Sequence, residues 1–434
     1  MAKAVETIMQ IRHNCLCTGC GTCAGVCPTG AIEIRVVGGV CVPEADATKC
    51  IDCGICVASC PGQSVDFSDL NLKIFGKQPT DRLLGNHSKC YVGHSNDDEV
   101  RCRSASGGMV SQMLVSALES GLIDGALVLR MTKSNPLETE GYIARSKEEI
   151  LEASGSKYCP APSNEALRHI LDENGRFAVV GLPCHMHGVR KAEEANKKLK
   201  QKIVLHIGVM CSHIVNYAGT ELILEKLGID KKTVKTLAYR GGGWPGGMTV
   251  TLKNGARSFI PLFGTWGSYW SAFSSYLFTP IRCLSCPDHT AELADISFGD
   301  AWLPELHFGK AGVSIIVART EIAEKFLSNL DSGKTMSLME VDASKVKQTQ
   351  KLLLKFKKDF FGSRMSLLKL LGNHTPDFKI QKSSLWSPII FAKAFYPYFN
   401  VKLSSNGYVR VFLRYVPFPL FRLYFGVYKS LSRI

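Results

Sequence analysis

The 434-residue sequence lacks several features that would assign it to common classes of protein. It has no uninterrupted run of about 18 apolar residues, so no membrane-spanning helix is predicted. Its opening segment, MAKAVETIMQIRHNC, has no apolar core of the kind found in secretory signal peptides, so a cytoplasmic location is predicted. Hydrophobic residues make up 45% and charged residues 21% of the chain, which excludes disorder, collagen-like repeats and coiled coil as whole-chain descriptions.

Acidic residues are scarce in one part of the chain only. The formal charge is +14, which by itself suggests a protein that binds nucleic acid. From Lys345 to the end, 17 basic residues are accompanied only by Asp359 and Asp377, whereas the preceding 344 residues hold 35 basic and 36 acidic residues. The body of the protein is therefore close to neutral, and binding to nucleic acid is not predicted.

Cysteine, by contrast, is abundant, with 17 residues in the chain. In a reducing compartment this number favours metal or cofactor chemistry over a disulfide framework. Two runs of the form C-x2-C-x2-C-x3-C, each followed by proline, repeat with a constant offset of 33 positions. The first run consists of Cys17, Cys20, Cys23 and Cys27, and the second consists of Cys50, Cys53, Cys56 and Cys60.

This spacing is the pattern of bacterial two-cluster ferredoxins, in which the fourth cysteine of each run ligates the other 4Fe–4S cluster. The crossed assignment predicts one cluster on Cys17, Cys20, Cys23 and Cys60, and a second on Cys27, Cys50, Cys53 and Cys56. A pair of zinc ribbons is the alternative interpretation of such cysteine pairs. Two in-phase runs with their prolines favour the clusters, and therefore one-electron chemistry.

The chain divides into three predicted domains. Residues 1–72 are predicted to form a small α+β two-cluster ferredoxin-like domain, with short strands at 31–34 and 64–67 and a polar connector after it, through about residue 98. Residues 73–340 alternate apolar strand-like runs with amphipathic segments, which predicts an α/β core domain with a largely parallel or mixed sheet. Residues 341–434 are predicted to form a basic, aromatic-rich, mainly helical C-terminal extension, since they hold 18 of the 39 aromatic residues.

Four further cysteines lie in positions suited to ligands. Cys184 and Cys211 end predicted strands, where α/β folds place their ligands, and Cys283 with Cys286 forms an isolated CxxC pair. Four is the number that one further cubane cluster needs. The alternative is that Cys184 and Cys211 are ordinary buried cysteines of the core.

Two other motifs of the core domain have a functional and a plain interpretation. A segment of small residues, 104–108, precedes a predicted helix. Its free N–H groups could bind a phosphate. The plain interpretation is that the segment is only a turn. His185 and His187 follow Cys184 and could ligate a metal, although histidines in such positions more often form local hydrogen bonds.

The order of motifs points to a known family. After the tandem ferredoxin runs come SASGGMVSQMLVSALESGLIDGALVL, GSKYCPAP, VVGLPCHMHGVRKA, IGVMC, YRGGGWPGG and CLSCPDHTAELADISFGDAW. With these motifs the chain, over about residues 12 to 320, resembles the beta subunit of coenzyme F-420 hydrogenases and dehydrogenases. That family also includes a plant enzyme that reduces 7-hydroxymethyl chlorophyll and bacterial members encoded near polysaccharide genes.

The resemblance implies an FAD bound in the core domain and a third 4Fe–4S cluster close to it. The family pattern of cluster ligands falls on Cys184, Cys211, Cys283 and Cys286. The flavin contacts fall on Ser106, Gly107, Gly108, Ser156, Lys157 and Tyr158. Cys159 departs from the pattern expected after the GSKY motif. By the same resemblance, coenzyme F-420 is a candidate substrate.

These groups predict a function. Clusters carry one electron at a time whereas organic substrates usually need two, and a flavin accommodates both. We therefore expect an iron–sulfur flavoprotein oxidoreductase that takes electrons from a ferredoxin-type donor or a redox-complex subunit and reduces a small organic substrate. One alternative is a subunit that oxidises coenzyme F-420 and feeds electrons to a larger complex. Another is a non-catalytic electron-wiring subunit.

The C-terminal extension has two open interpretations. Aromatic residues alternate there with basic ones such as Arg414 and Arg422, a mixture that suits peripheral contact with anionic lipid on the inner face of the membrane. The other interpretation is a packed helical extension that docks against the core or a partner subunit.

Overall fold

The computed structural model of the protein describes residues 2–263, 273–303, 305, 311–332, 334–380, 388–417 and 420. Its strands, numbered in chain order, are β1 Ile32–Val37, β2 Val40–Ala45, β3 Ser64–Val65, β4 Lys89–Ser95, β5 Gly125–Met131, β6 Thr139–Ala144, β7 Phe177–Gly181, β8 Ile203–Val209, β9 Val234–Gly241, β10 Gly247–Leu252, β11 Arg257–Pro261, β12 Ile296–Asp300, β13 Ser314–Ala318, β14 Met336–Val341 and β15 Asp377–Phe378.

Helices connect and cover these strands. The α-helices are Lys3–His13, Thr22–Gly25, Ile55–Ala58, Phe67–Phe75, Asp98–Arg103, Met109–Glu119, Lys147–Glu152, Leu167–Asp172, Pro183–Ala195, Lys197–Lys202, Tyr217–Lys226, Ile281–Leu284, Glu321–Ser332, Ala343–Thr349, Lys351–Leu354, Phe361–Leu370, Pro388–Ser405 and Gly407–Tyr415. Single turns of 3-10 helix lie at Ser163–Ala166 and Lys231–Thr233, and Lys355–Asp359 is a turn of π-helix. No helix within the described residues combines the length and the apolar character needed to cross a lipid bilayer.

The core is an eight-stranded mixed sheet with the order β14-β4-β13-β12-β8-β7-β5-β6. The four strands β5, β7, β8 and β12 run parallel to one another, and the strands on either side of them are antiparallel. The predicted α/β core with a mixed sheet is therefore confirmed. The parallel strands are apolar runs because helices cover both of their faces.

Successive residues of each parallel strand serve opposite faces of the sheet, as the two-residue period of a strand requires. In β5, Ala126 and Val128 pack with Met113 and Phe326 in the cluster under helices Met109–Glu119 and Glu321–Ser332. Leu127 lies in the opposite cluster, under helices Leu167–Asp172, Pro183–Ala195 and Lys197–Lys202. The carboxyl ends of the parallel strands are thus held between two apolar layers.

The ferredoxin-like segment docks closely against the core. A Cβ at Gly25 would lie 2.1 Å from the carbonyl oxygen of Asn164, a separation that no side chain could occupy. The position 33 residues later in the repeat is Ala58. Glycine is therefore required at this position of the first run, because its backbone lies directly against the backbone of Asn164 in the core. Arg168 strengthens the contact by donating to the carbonyl oxygens of Ala24 (3.0 Å) and Cys27 (3.3 Å).

Two local predictions were wrong. The predicted polar connector contains β4, which pairs with both β13 and β14 inside the main sheet; its buried Cys90 and Val92 alternate with more accessible residues such as Lys89. The predicted strand at 64–67 ends at Val65, because the Asp66 side chain accepts a hydrogen bond from the Asp69 N–H and caps a helix that begins at Phe67.

The C-terminal extension packs against the rest of the chain. Its strand β15 pairs in parallel with β3, next to the second cysteine run. Phe361 and Met365 of helix Phe361–Leu370 join an apolar cluster with Val65 and Leu293. The described part of the extension thus contacts both the ferredoxin-like segment and the core domain, whereas Arg422 lies outside the described residues.

Candidate functional site

The first group of thiols lies at the surface end of the ferredoxin-like segment. Cys27, Cys50, Cys53 and Cys56 all line one cavity of about 20 Å³, together with Ala4 and other residues of the N-terminal helix and the two runs. These are the four cysteines of the second predicted set, so the structure brings them together. Cys53 is exposed, whereas Cys56 is buried.

The second group lies deeper, towards the core. Cys20, Cys23 and Cys60 are buried. Burial raises the pKa of both Cys17 and Cys23, and the neighbouring thiol of Cys60 raises it further. The structure therefore groups Cys60 with the first run, as the crossed assignment predicts. Thiols in such a place ionise only when a cation is bound to them, which is the condition of a cluster ligand.

Backbone amides point at several of these sulfur atoms. The N–H groups of Gly19, Asp52 and Gly62 donate to the Sγ atoms of Cys17 (3.3 Å), Cys50 (3.4 Å) and Cys60 (3.4 Å). Such bonds stabilise thiolate ligands and contribute to the potential of an iron–sulfur cluster. The cysteine sets therefore fit clusters in their donor atoms and in their hydrogen bonding.

The third group forms at the carboxyl edge of the sheet. Cys184 follows β7 at the start of helix Pro183–Ala195, Cys211 follows β8, and Cys283 and Cys286 lie around helix Ile281–Leu284. Burial raises the pKa of Cys184, and the thiols of Cys20, Cys211, Cys286 and Cys283 raise it further. The four cysteines predicted as a third set are thus neighbours, and Cys20 of the ferredoxin-like segment lies beside them.

Direct hydrogen bonds hold the second and third groups together. The Asn164 N–H donates to the Cys20 carbonyl oxygen (3.0 Å). Its side-chain amide donates to Thr22 Oγ1 (2.9 Å) and to the carbonyl oxygen of His185 (3.0 Å). Because Thr22 and His185 are near neighbours of Cys20 and Cys184 along the chain, this one amide fixes the two groups relative to each other. Arg282 adds bonds to the carbonyl oxygens of Leu16 and Pro61.

A larger pocket of about 280 Å³ adjoins the third group. It opens at the carboxyl ends of β5, β7, β8 and β12, the position where α/β sheets bind their ligands. Its wall includes Leu182 and His185, on either side of Cys184, and Met210, which precedes Cys211. A molecule in this pocket would therefore lie next to the third cysteine set.

Five of the six residues predicted to contact a flavin line this pocket, namely Ser106, Gly108, Ser156, Lys157 and Tyr158. Gly107 is not in the wall: a Cβ there would lie 2.6 Å from the Gly93 carbonyl oxygen, so this glycine lets its turn pack against β4. Lys157 Nζ donates to the carbonyl oxygens of Ser154 and Gly155 (both 3.1 Å) and of Ala153. Burial lowers the pKa of Lys157 to about 8.

One residue of the wall, Asp300, belongs to a buried ion pair. Arg240 donates to Asp300 Oδ2 (2.9 Å) and to the Tyr158 hydroxyl (3.1 Å). The other carboxylate oxygen, Asp300 Oδ1, is buried and has no hydrogen-bond partner among the described residues. Since Asp300 lines the pocket, this acceptor is available to a donor group on a bound ligand.

Family models match most of the described fold. Both models describe the beta subunit of "Coenzyme F420 hydrogenase/dehydrogenase": its N-terminal part matches residues 90–168, and its C-terminal part matches residues 174–344. The chain belongs to this beta-subunit family. Residues 16–65 match "4Fe-4S dicluster domain", so the chain also carries a 4Fe–4S domain.

Relatives of this family member include several named oxidoreductases. One subunit of the F(420)H(2) dehydrogenase of Methanosarcina mazei is 26% identical over 74% of this chain and 83% of its own length. The beta subunit of the coenzyme F420 hydrogenase of Methanothermobacter thermautotrophicus is 27% identical over 56% of this chain and 82% of its own length. A coenzyme F420-dependent sulfite reductase of Methanocaldococcus jannaschii is 28% identical over 81% of this chain, which spans 51% of that protein.

A solved structure shares the fold. A chain of the F420-reducing NiFe hydrogenase complex of Methanosarcina barkeri, studied by xenon derivatization, superposes with a TM-score of 0.53 at 23% identity. The match covers 68% of this chain and 97% of that one. The mixed α/β core is therefore a fold that this family member shares with that chain.

The sequence motifs of this protein indicated most of the site but not all of its residues. Arg240 and Asp300 lie in the YRGGGWPGG and ADISFGDAW segments. They are 60 positions apart in the sequence and on different strands, so their ion pair could not be predicted from either motif. His185 and His187 are not close enough to other ligands to hold a metal. His187 Nε2 bonds to Asp288 (2.9 Å), and His185 Nδ1 bonds to Ser163 Oγ (3.2 Å).

Proposed function

We propose that the chain is an iron–sulfur flavoprotein oxidoreductase that exchanges electrons with a redox partner through its cysteine sets and reduces an organic substrate beside the pocket. The observation that carries this proposal is the order of the groups in space. The set with exposed Cys53 lies outermost, the set with buried Cys20 follows, then the set with Cys184, and finally the pocket. Such an order suits a relay of single electrons between the surface and a buried ligand.

Each set has its proposed occupant. The crossed sets of the ferredoxin-like segment would hold two 4Fe–4S clusters, and a third would be held by Cys184, Cys211, Cys283 and Cys286. FAD in the pocket would supply the exchange between single electrons and electron pairs. Ser106, Gly108, Ser156 and Tyr158 would line its ring and phosphates, Lys157 would place positive charge at the wall, and Asp300 Oδ1 would accept a hydrogen bond.

The redox partner is proposed to approach the outermost set. Ile51 is 65% exposed beside the exposed Cys53, so a protein partner can come close to that set without unfolding any part of the chain. The relatives support such a partner, since they include subunits of a dehydrogenase and of a hydrogenase, and the chain with the similar solved structure comes from a complex.

A second candidate function reverses the direction of the electrons. In it, coenzyme F-420 in its reduced form would donate a hydride to the proposed flavin, and the clusters would pass the two electrons one at a time to a larger redox complex. The relatives favour this candidate because coenzyme F-420 appears in the names of a dehydrogenase, a hydrogenase and a sulfite reductase among them.

Anaerobic reconstitution tests the inventory of cofactors. We expect about twelve irons, four for each cluster, and one FAD for each chain. The variant Cys286→Ala is expected to lose about four irons and keep about eight, because only the third set loses a ligand. Cys102→Ala, which removes an exposed cysteine outside all three sets, serves as the control and should keep the full count. Chains without flavin would contradict the proposal, and an unchanged iron count in Cys286→Ala would contradict the third cluster.

The direction of electron flow is tested with two reductants. Bleaching of the flavin absorbance by reduced ferredoxin, with none by reduced coenzyme F-420, is the result expected of the proposed reductase. Rapid bleaching by reduced coenzyme F-420 would establish the second candidate instead. Stopped-flow absorbance on the same reconstituted sample measures both reactions.

The role of Lys157 is tested by Lys157→Met. We expect the affinity for FAD to fall about tenfold, equivalent to about 1.4 kcal/mol, because the wall loses a positive charge and three carbonyl oxygens lose their donor. Since the pKa of Lys157 is about 8, the ammonium loses its charge as the pH rises through that value. Retention of FAD by the unaltered chain should therefore decrease from about pH 7 to about pH 9.

The matched variant Lys133→Met removes an exposed lysine of the same domain and should bind FAD normally at every pH. Equal retention of FAD by Lys157→Met and the unaltered chain, measured after gel filtration, would show that Lys157 does not contribute to the binding of the flavin.

We further propose that the C-terminal extension rests on anionic lipid. Tyr408, Phe412 and Tyr415 of helix Gly407–Tyr415 are 90%, 65% and 79% exposed, whereas Leu413 on the other side of that helix is buried. Lys226 fixes the helix on the core by donating to the Arg414 carbonyl oxygen (2.6 Å). No acidic residue follows Asp377 in the sequence, so exposed aromatic rings accompany a purely basic segment, the combination that favours an anionic interface.

Sedimentation with vesicles tests the lipid contact. The triple variant Tyr408→Ser, Phe412→Ser, Tyr415→Ser is expected to bind vesicles of phosphatidylserine and phosphatidylcholine at least tenfold more weakly than the unaltered chain. Phe259→Ser, which removes an exposed ring from β11, should bind normally. Equal binding by the triple variant, or equal binding of the unaltered chain to pure phosphatidylcholine, would contradict the proposed surface.

A further inference from the structure

A buried hydroxyl group contacts a sulfur atom of the inner set, the name used here for Cys17, Cys20, Cys23 and Cys60. Thr22 is fully buried, and its Oγ1 lies 3.2 Å from Cys20 Sγ. The side-chain nitrogen of Asn164 donates both to this Oγ1 (2.9 Å) and to the His185 carbonyl oxygen (3.0 Å). Because the hydroxyl already accepts from Asn164, its one hydrogen is left for Cys20 Sγ. Thr22 therefore donates to a proposed cluster ligand.

The core domain holds this hydroxyl in place. Thr22 begins the short helix Thr22–Gly25 and faces Gly188 of helix Pro183–Ala195. A Cβ at Gly188 would lie only 2.2 Å from Thr22 Oγ1, so any other residue there would displace the hydroxyl. Threonine also has a branched Cβ, which restricts its side-chain rotation. The Thr22 hydroxyl is thus fixed by packing on one side and by the Asn164 amide on the other.

The internal repeat offers a comparison within the same chain. The positions that correspond to Cys20 and Thr22, 33 residues later, are Cys53 and Ile55. Ile55 has no hydroxyl to donate. Cys53 is exposed, so it is accessible to water, whereas Cys20 is buried. The hydroxyl of Thr22 therefore occupies a place that solvent can fill in the outer set, which consists of Cys27, Cys50, Cys53 and Cys56.

Positive charge does not distinguish the two sets. In each run a cation of the core donates to the carbonyl oxygen of the fourth cysteine: Arg168 to Cys27 (3.3 Å) and Lys191 to Cys60 (2.7 Å). The hydroxyl of Thr29 approaches Cys27 Sγ in the outer set, but at 3.7 Å and on an exposed residue. Water can replace a donor at such a place, whereas it cannot reach the buried bond in the inner set.

We propose that the Thr22 hydroxyl raises the reduction potential of the cluster in the inner set, a role that rests on the cluster proposed above. Reduction adds one electron, and hence one negative charge, without adding any atom. Burial disfavours that charge because water no longer solvates it. Hydrogen bonds to the sulfur atoms are among the factors that set a cluster's potential. By donating to Cys20 Sγ, Thr22 offsets part of the cost of burial and lets the inner set accept electrons from the outer one.

Redox titration of the reconstituted full chain, followed by EPR, tests this role. Thr22→Val keeps the shape of the side chain and removes the hydroxyl. We expect one cluster to become about tenfold harder to reduce at a given potential, a shift of about 59 mV downwards for a one-electron couple. Thr22→Ser, which keeps the hydroxyl, should titrate like the unaltered chain. Thr29→Val removes the exposed hydroxyl near Cys27 and should shift nothing.

A further variant separates the bond to sulfur from the docking of the two domains. Asn164→Ala removes the amide that links Thr22 to the core but leaves the hydroxyl beside Cys20. We expect its shift to be less than half of that in Thr22→Val. Equal shifts in the two variants would show that docking sets the potential, and they would overturn the role of the hydroxyl.

The outcomes also separate this inference from the proposed function. The shift should persist when Thr22→Val is combined with Cys286→Ala, which assigns it to the ferredoxin-like segment. Unchanged potentials in Thr22→Val, with the full iron count, would overturn the role of Thr22 and leave the proposed function intact. About four irons or fewer in Cys286→Ala would instead overturn the two clusters of the ferredoxin-like segment.

A loss of iron from Thr22→Val also has a defined meaning. The smaller variant Thr22→Ala then takes its place in the titration, with the same shift expected. Loss of iron from both variants would show that Thr22 is needed for the fold of the inner set, and it would overturn a role in setting the potential.

Discussion

Contact between the ferredoxin-like segment and the α/β core places Cys20 beside Cys184, and the rest of the account depends on that contact. Electrons could not pass between two parts of a chain that were free to move apart. The Asn164 amide, which bonds to Thr22 and to the His185 carbonyl oxygen, holds the two groups of thiols in place. Gly25 permits the close approach because any side chain there would meet the Asn164 backbone.

Which cysteines form a set was largely predictable from the sequence, because it depends on the spacing of the cysteines along the chain. The two cysteine runs predicted two sets with exchanged fourth members, and the cavity lined by Cys27, Cys50, Cys53 and Cys56 has that composition. Apolar runs predicted strands, and strand ends predicted where Cys184 and other ligands would lie. Family resemblance added six predicted flavin contacts, of which all but Gly107 line one pocket.

Long-range pairing was not predictable, since no local pattern encodes it. The sequence of β4 contains lysine and histidine, so it looked like a connector, yet it lies between β13 and β14 in the main sheet. The ion pair of Arg240 with Asp300 forms only when β9 approaches β12. The contact of Cys20 with the third set depends in the same way on the docking of whole domains.

The basic extension shows why a charge count needs a structure. Lys357 and Arg364 contribute to the excess of positive charge in the same way as the exposed lysines do, yet both are buried, and Arg364 donates to the carbonyl oxygen of Cys286. Helix Gly407–Tyr415 instead exposes its aromatic rings. One segment therefore combines an inner part that borders the proposed cluster with an outer part that faces away from the core.

The central claim, that the inner ferredoxin-type set and the third set hold adjacent clusters, is tested most directly by EPR of the fully reduced protein. Two paramagnetic clusters at neighbouring sites interact and broaden each other's signals. We predict a broadened, interacting spectrum that simplifies in Cys286→Ala, where one member of the pair is absent. A fully reduced spectrum equal to the sum of three independent clusters would contradict the account.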